Sequence, residues 1–332
     1  MPTTFSRRQF LTTSAGASLA VAGAALAFAP TSARAATEAR ARPRGPRLKT
    51  SLNAYSFLEL LNANAKDPRQ GVDLFKVCDF CAAQGFDAVD VTGYFFPGYP
   101  GVPPDDYLVR LKRHAFNLGL TFSGTGVRNE FTTADVAVRA EGVSRIKAWI
   151  EVAAKLGAPV VRAFADSQPP FRSWQQAAGN APRNQVEAWV AAALHECAEH
   201  GKKFGVIVGV QNHGDFIRTG PEHRSLLQRV NHEWCAALVD TGKYLTDDPY
   251  VDIALMAPGA VNWQIKETLQ STMTSPRVDL RRLLTIIRQS GYRGYLPIET
   301  LRMGRTEYDS FQEIPRMLAE LNAAMDATEV AG

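Results

Sequence analysis

Residues 184–210 read NQVEAWVAAALHECAEHGKKFGVIVGV, and this stretch joins the two patterns that decide the fold. Up to residue 201 the apolar residues recur at helical spacing, and a glycine then ends the pattern as a left-handed helix cap would. The following run, FGVIVGV, is short, apolar and rich in valine, which predicts a strand. A helix followed closely by such a strand is the repeating unit of a parallel sheet.

This alternation of strand and helix occurs eight times after residue 49. The predicted strands are TSLNAYSF (50–57), FDAVDV (86–91), LTFSGTG (120–126), PVVRAFA (159–165), FGVIVGV (204–210), CAALVD (235–240), AVNWQIK (260–266) and GYLPIE (294–299). Helical patterns separate them, and the closing pattern DSFQEIPRMLAELNAAM has Pro315 in its first turns. Eight strand and helix pairs close a (β/α)8 barrel, so we predict a single-domain α/β TIM barrel over residues 50–332. An open doubly wound sheet would usually have a Gly-rich phosphate turn after its first strand, and NAYSFLEL has none. No nucleotide cofactor is therefore predicted.

The chain before the barrel has a different composition. SRRQFL (6–11) carries paired arginines and precedes an Ala-rich, weakly apolar stretch and an Ala-Arg-Ala cleavage site. This order predicts a twin-arginine signal peptide over residues 1–35, and hence a periplasmic or secreted protein. The alternative is an uncleaved signal that anchors the chain in a membrane. Residues 36–49 are predicted to form a basic linker.

The formal charge of +4 comes from the start of the chain. Eight of the 37 basic residues and one of the 33 acidic residues precede residue 50, so the barrel carries 29 basic and 32 acidic residues. A near-neutral barrel without a basic face does not predict a nucleic-acid partner. The sequence gives no prediction for the number of subunits.

Polar residues follow the predicted strands, at the end of the barrel where TIM-barrel active sites lie. In strand order they are Asn53, Tyr55, Asp90, Thr125, Arg128, Glu130, Arg162, Asp166, Gln211, Asn212, His213, Asp240, Gln264, Lys266, Glu267, Glu299 and Arg302. Because they converge from eight directions, we expect a polar cavity suited to a small polyhydroxylated ligand. Among them Asp90, Arg162, Asn212 and Arg302 are the predicted substrate contacts. An isolated charge on Arg162 would be costly inside a barrel, so an acidic neighbour is expected.

Histidines and cysteines narrow the possible chemistry. His213 stands just after a strand, whereas the other histidines fall in helical patterns or at their ends. HECAEH places its histidines five apart, which is not the spacing of a zinc-protease helix. Cys78 and Cys81 share one face of a helical pattern with apolar residues, which favours core packing over redox chemistry.

Six stretches together resemble one protein family. They are GFDAVDV, LGAPVVRAF, VGVQNH, LVDTGK, NWQIKE and LPIET. In order and spacing they resemble the xylose isomerase-like TIM barrels, the sugar phosphate isomerase/epimerase superfamily. The resemblance implies one divalent metal held by Glu, Asp, His and Glu from strands five to eight. The matching positions here are Gln211, Asp240, Gln264 and Glu299.

Two of these four positions differ from the family pattern. Gln211 stands in place of a glutamate and Gln264 in place of a histidine. An amide oxygen can bind a hard cation but brings no charge, and loss of the imidazole favours Mn²⁺ or Mg²⁺ over Zn²⁺. Two readings stay open: a weak all-oxygen metal site, or two glutamines that only form hydrogen bonds across the barrel mouth.

The same differences limit the predicted reaction. The resemblance implies an isomerase or epimerase that moves a proton beside the carbonyl of a sugar, keto-sugar or glycoside, and the predicted signal peptide implies that it is exported. Gln211 cannot act as a base, so Glu299 is the expected base, with His213, Lys266 or Lys243 as the acid or stabilising charge. One-base isomerisation or β-elimination fits this set better than two-base epimerisation.

Three other functions compete with this prediction. A metal-free carbohydrate-binding or accessory protein on a degenerate isomerase barrel and a keto-glycoside lyase are the alternatives. A nucleic-acid repair hydrolase of the same barrel type would need a multi-zinc cluster, which a single strand-end histidine does not support.

Overall fold

The computed structural model describes residues 48–272 and 274–329, which form a closed barrel of eight parallel strands. In chain order around the barrel the strands are β1 Lys49–Asn53, β2 Ala88–Thr92, β3 Thr121–Gly126, β4 Val160–Phe164, β5 Ile207–Gln211, β6 Cys235–Asp240, β7 Ala260–Lys266 and β8 Tyr295–Glu299. β8 pairs with β1, with Leu52 opposite Ile298, and this pairing closes the barrel. The predicted single-domain TIM barrel is confirmed.

The helices connect the strands, and their apolar faces join one continuous core with the barrel. They are α1 Leu58–Lys66, α2 Leu74–Gln84, α3 Asp105–Asn117, α4 Val136–Leu156, α5 Trp174–Ala177, α6 Arg183–Phe204, α7 Gly220–Val230, α8 Pro249–Met256, α9 Leu280–Gln289 and α10 Ser310–Glu329. Cys78 and Cys81 of α2 are completely buried, and burial raises the pKa of Cys78 to about 12, so the prediction of core packing is confirmed. Pro315 lies inside α10, as predicted.

One predicted helix end lies too early in the sequence. α4 ends as expected at Gly157, whose φ of 83° is left-handed. α6, however, continues past Gly201 to Phe204, and Gly205 with φ 67° is the actual cap. Gly201 is required for another reason, because a Cβ there would lie 2.3 Å from the carbonyl oxygen of Val206.

The first strand is shorter at its end than the sequence predicts. The side chain of Asn53 accepts a hydrogen bond from the backbone N–H of Tyr55 and turns the chain into a 3-10 helix, Ala54–Phe57. β1 also begins at Lys49, one residue inside the predicted linker. The signal peptide (1–35) and the rest of the linker (36–47) lie outside the described residues. In the part of the chain that is described, no helix is long and apolar enough to span a bilayer.

Candidate functional site

Side chains from β5 to β8 meet at the carboxyl end of the barrel. Gln211 donates from Nε2 to Oδ2 of Asp240 at 2.7 Å and to Oε1 of Gln264 at 2.6 Å. Glu299 at the end of β8 joins them through Lys266, so the structure brings together the four positions that the resemblance selected. All four are buried, which places the cluster below the surface of the mouth.

The ammonium group of Lys266 lies between the two carboxylates of this cluster. Its Nζ donates to Oε1 of Glu299 and lies 3.6 Å from Oδ2 of Asp240. Burial alone would lower the pKa of Lys266, but the charges of Asp240 and Glu299 outweigh burial and raise it. Burial raises the pKa of Asp240, and the charge of Lys266 opposes that effect. Lys266 is therefore a fixed positive charge at neutral pH rather than a base.

These residues do not fit a divalent metal as they are arranged. Asp240 and Glu299 are the available charged oxygen donors, and the ammonium of Lys266 already lies between them and offsets one of their two negative charges. The N–H₂ group of Gln211, not its oxygen, faces Asp240, and its Oε1 is a buried acceptor without a hydrogen-bond partner among the described residues. Within those residues no group of three or more His, Cys, Asp and Glu side chains could hold a metal. An all-oxygen site would require the ammonium to leave and the amide to turn.

The cluster forms one wall of a cavity of about 220 Å³. Its lining residues come from all eight strands or the loops after them, as expected for the mouth of this fold. They are Asn53, Tyr55, Thr92, Tyr94, Arg128, Arg162, Phe164, Gln168, Gln211, His213, Lys243, Gln264, Lys266, Glu299 and Leu301. The cavity is smaller than the roughly 300 Å³ at which drug-sized ligand sites begin, so it suits a small polar ligand.

Arg162 extends from β4 into the cavity wall and is only 7% exposed. Its Nη2 donates to the hydroxyl of Tyr94 at 2.8 Å, and the guanidinium lies 4.0 Å from the ring centre of Phe164. The side chain passes across Gly126, where a Cβ would lie 2.5 Å from its Nε. The expected acidic neighbour is not in contact, because no carboxylate of the described residues lies within 4.0 Å of the guanidinium.

Asp90 lies deeper in the barrel than the cavity and does not line it. Its Oδ2 accepts a hydrogen bond from Nδ2 of Asn262 at 3.1 Å. Burial raises the pKa of Asp90 to about 6, against the opposing charge of Arg162. Asp90, a predicted substrate contact, is therefore not in contact with this cavity.

His213 follows β5 and packs on Phe164, with 4.6 Å between the ring centres. Its ring lines the cavity, which agrees with the position predicted for it. Burial lowers the pKa of His213 strongly, and the nearby charges of Lys243, Lys266 and Arg162 lower it further. The imidazole is therefore neutral at pH 7, able to accept a proton but not to act as a cation.

Two predicted substrate contacts lie elsewhere. Asn212 is fully buried and joins β5 to β6, because its amide donates to the carbonyl of Asp240 and accepts from the backbone N–H of the same residue. Arg302 forms a two-point ion pair with Glu59 on the outer surface and is not among the cavity residues. Both were predicted from strand-end position alone, and in both the side chain already has another partner.

Other cavity residues were missed in the sequence. Tyr94 lies in the 3-10 turn Gly93–Phe95 after β2, and Gln168 and Leu301 follow β4 and β8. Tyr94 could have been found, because its aromatic ring follows the end of a predicted strand within four residues. Tyr55, which was in the predicted set, keeps its proton because burial and then the charge of Glu299 raise its pKa.

Comparisons with known proteins agree on the fold. A family model described as xylose isomerase-like TIM barrel matches residues 78–321. No curated protein matches the chain. A crystal structure of D-psicose 3-epimerase with D-fructose superimposes with a TM-score of 0.67 at 16% identity, covering 84% of this chain and 99% of that one. L-ribulose 3-epimerase gives 0.69 at 16% identity over 86% and 97%. The 3-keto-D-glucoside 4-epimerase of E. coli gives 0.64 at 15% identity over 83% and 100%.

Proposed function

Since this chain belongs to the xylose isomerase-like TIM barrel family, we propose that it is an enzyme that moves a proton beside the carbonyl group of a sugar or keto-sugar. The observation that carries the proposal is the buried pair of Lys266 and Glu299, which lines a small polar cavity at the active-site end of the barrel. The sugar epimerases with the same fold support the substrate class.

Glu299 is the proposed proton carrier. Its carboxylate takes a proton from the carbon next to the carbonyl, and the electron pair of that C–H bond moves onto the carbonyl oxygen to form an enediolate. The protonated Glu299 then returns the proton to the neighbouring carbon, while a hydroxyl proton passes between the two oxygens. The sum is an isomerisation in which no atom is gained or lost.

Lys266 is the proposed stabilising charge. An enediolate carries a negative charge that water would otherwise solvate, and a preorganised cation in a buried site lowers the cost of forming it. The raised pKa of Lys266 keeps this cation charged at neutral pH. In this proposal the lysine supplies the positive charge for which the family resemblance implied a divalent ion.

Gln211 has no basic group, so a second proton carrier on the opposite wall has to be another residue. His213 lies two residues further along the chain, lines the same cavity and is neutral because its pKa is lowered. A neutral imidazole has a ring nitrogen that can take up a proton, and its lowered pKa means that it gives the proton back easily, so we propose His213 as the second carrier if the reaction inverts a carbon.

A keto-glycoside lyase is the second candidate, and an adjoining cavity of about 380 Å³ favours it. The two cavities share Lys243, Lys266, Glu299 and Leu301. A sugar bound beside Glu299 would therefore have room for a group attached to it. Loss of a proton next to the carbonyl followed by departure of that group is β-elimination. The predicted export signal supports an extracytoplasmic free sugar or glycoside as substrate.

The proposal is tested by proton exchange with solvent. Purified protein is incubated in D₂O with D-fructose, L-ribulose and methyl 3-keto-β-D-glucoside, and deuterium at the carbon next to the carbonyl is measured by NMR. We expect exchange with at least one of them. Glu299→Gln should reduce the rate by about 10²-fold or more, the usual contribution of a positioned acid or base.

Glu233→Gln, at an exposed position just before β6, is the matched control for loss of a carboxylate and should exchange at the wild-type rate. Wild-type rates in Glu299→Gln would contradict the proposal. Tight sugar binding without any exchange in the wild-type protein would identify the barrel as a carbohydrate-binding protein instead.

A further inference from the structure

We propose that the cavity contains an anion subsite, formed by Arg162 with Arg128 and Lys243, which binds a carboxylate or phosphate group of the sugar. That the ligand is a sugar rests on the proposed function. The positive charges that define the subsite do not depend on which reaction the protein catalyses.

The cavity is lined by more positively than negatively charged side chains. Four cationic side chains line it, and Glu299 is the carboxylate that does so. Glu299 is already paired with Lys266, which also lies close to Asp240. No carboxylate of the described residues lies within 4.0 Å of Arg128, Arg162 or Lys243. Three positive charges therefore face one small cavity without a partner in contact.

Of the three cationic residues, Arg162 gives the strongest support for an anion subsite. Arginine is almost never fully buried unless it is paired, because removing its charge from water is costly. A guanidinium has five N–H donors, and the described contacts of Arg162 use one of them, on the hydroxyl of Tyr94. The ring of Phe164 covers one face of the guanidinium and offsets part of the cost. The remaining donors have the planar geometry that binds carboxylate or phosphate through two hydrogen bonds.

The surroundings hold Arg162 in this position before any ligand binds. The absence of a side chain at Gly126 makes room for its Nε, Cβ and Nη2, all within 3.0 Å of where a Cβ would lie. Tyr94 and Phe164 fix its end. A cation that is already ordered loses little conformational freedom on binding, so its hydrogen bonds count more fully toward affinity.

Arg128 adds a second guanidinium to the same patch. Its centre lies 5.0 Å from the ring centre of Tyr94, and that of Arg162 lies 5.5 Å from the same ring. Arg128 is exposed, so water screens part of the repulsion between the two guanidinium groups, and an anion bound beside them would offset the rest. Asp90 does not fill this role, because its carboxylate accepts no hydrogen bond from Arg162 and accepts one from Asn262 instead.

The test is binding of three probes that differ only at carbon 6 of glucose. D-Glucose, D-glucuronate and D-glucose 6-phosphate are titrated into the full chain by calorimetry at low ionic strength. We expect at least one anionic probe to bind about tenfold tighter than glucose. A preference for glucuronate identifies a carboxylate subsite, and a preference for glucose 6-phosphate identifies a phosphate subsite.

Variants then test which residues cause the preference for an anionic probe. Arg162→Gln should bind all three probes equally, and Arg162→Lys, which keeps the charge but loses the planar fork, should retain only part of the preference. Arg113→Gln removes the same charge from the exposed face of α3 and should behave as the wild type. Circular dichroism and melting temperature check that each variant is folded. Arg128→Gln provides a second measurement if Arg162→Gln does not fold.

Equal binding of glucose and both anions, no binding of either anion, or an unchanged preference in Arg162→Gln or Arg128→Gln would overturn the subsite. Glu299→Gln separates this result from the proposed reaction. It should lose proton exchange but keep the anion preference, so each proposal can fail while the other stands.

Discussion

Lys266 illustrates how one residue changes the chemistry available at a strand-end site. The strand-end position of Asp240 and Glu299 predicts that two carboxylates converge, and two converging carboxylates attract a cation. Here the cation is the chain's own ammonium group, covalently attached to β7. The pair is buried, so breaking it leaves an uncompensated charge, which usually costs about 3–5 kcal/mol.

A double-mutant cycle tests this pairing. Lys266→Met should lower the free energy of unfolding at pH 7 by about 3 kcal/mol or more, because Glu299 and Asp240 then lie unpaired in a buried site. Glu299→Gln combined with Lys266→Met should recover part of that loss. Urea unfolding of the wild type, both single variants and the double variant gives the coupling energy, for which we expect more than about 1 kcal/mol. Strict additivity of the two substitutions would show that the ion pair does not form.

The sequence predicts which residues lie at the strand ends better than it predicts where the functional groups of their side chains lie. The family resemblance selected Gln211, Asp240, Gln264 and Glu299, and the order of the strands predicted that these strand ends meet. The sequence did not predict where the ammonium of Lys266 lies, because four rotatable bonds separate that group from the strand. Arg302 was predicted at the cavity but pairs with Glu59, which is distant in sequence, and no local pattern reveals such a contact.

At the level of elements, α7 is joined to the barrel by one buried imidazole. His223 shares its two ring nitrogens between the hydroxyl of Tyr244 and the carbonyl oxygen of Val210 on β5. Burial lowers the pKa of His223 to about 4, with the hydrogen bond to Val210 opposing the shift. The helix is therefore docked by a neutral histidine, which has to gain a proton when acid unfolds the protein.

This gives the barrel a predicted loss of stability in mild acid. The folded pKa of His223 lies below its unfolded value of about 6.5, so its contribution is complete above pH 6.5 and is lost as the pH falls toward 4. Between pH 7.5 and pH 5 the loss should be about 2 kcal/mol, measured as the fall in the free energy of urea unfolding. His213, whose pKa is also lowered, acts in the same direction.

His223→Gln should show a shallower dependence on pH, together with lower stability at pH 7.5 by about 1–3 kcal/mol because buried hydrogen-bond partners lose the ring. His114→Gln, on the outer face of α3, is the matched control and should keep the wild-type slope. An unchanged slope in both His223→Gln and the double variant with His213→Gln would contradict the assignment.

The elements themselves were largely predictable, because each buried strand is a short apolar run with a turn or cap at its ends. β6 and β7 have the predicted bounds, whereas β1 ends four residues early. The side chain of Asn53 ends it by capping the following turn, and this local hydrogen bond outweighs the apolar pattern of the residues that follow.

For the whole molecule, the lysine-centred mouth predicts stability without a bound metal. A divalent ion at 100 times its Kd would add about 2.7 kcal/mol, which raises Tm by roughly 5–10 °C in a domain of this size. We expect no such difference between protein dialysed against EDTA and protein supplied with Mn²⁺ or Mg²⁺, measured by thermal unfolding. Asp240→Asn, which removes one carboxylate, is the control. A metal-dependent rise in Tm that this substitution abolishes would restore the metal site implied by the family resemblance.

The pairing of β1 with β8 also has a consequence during synthesis. About 250 residues separate Leu52 from its neighbour Ile298, so β1 is synthesised long before the strand with which it pairs to close the barrel. At 5–20 residues per second the wait lasts roughly 12–50 s. Throughout that time one edge of the nascent sheet is open to other polypeptides, and chaperones that cover such an edge would act before the last strand emerges.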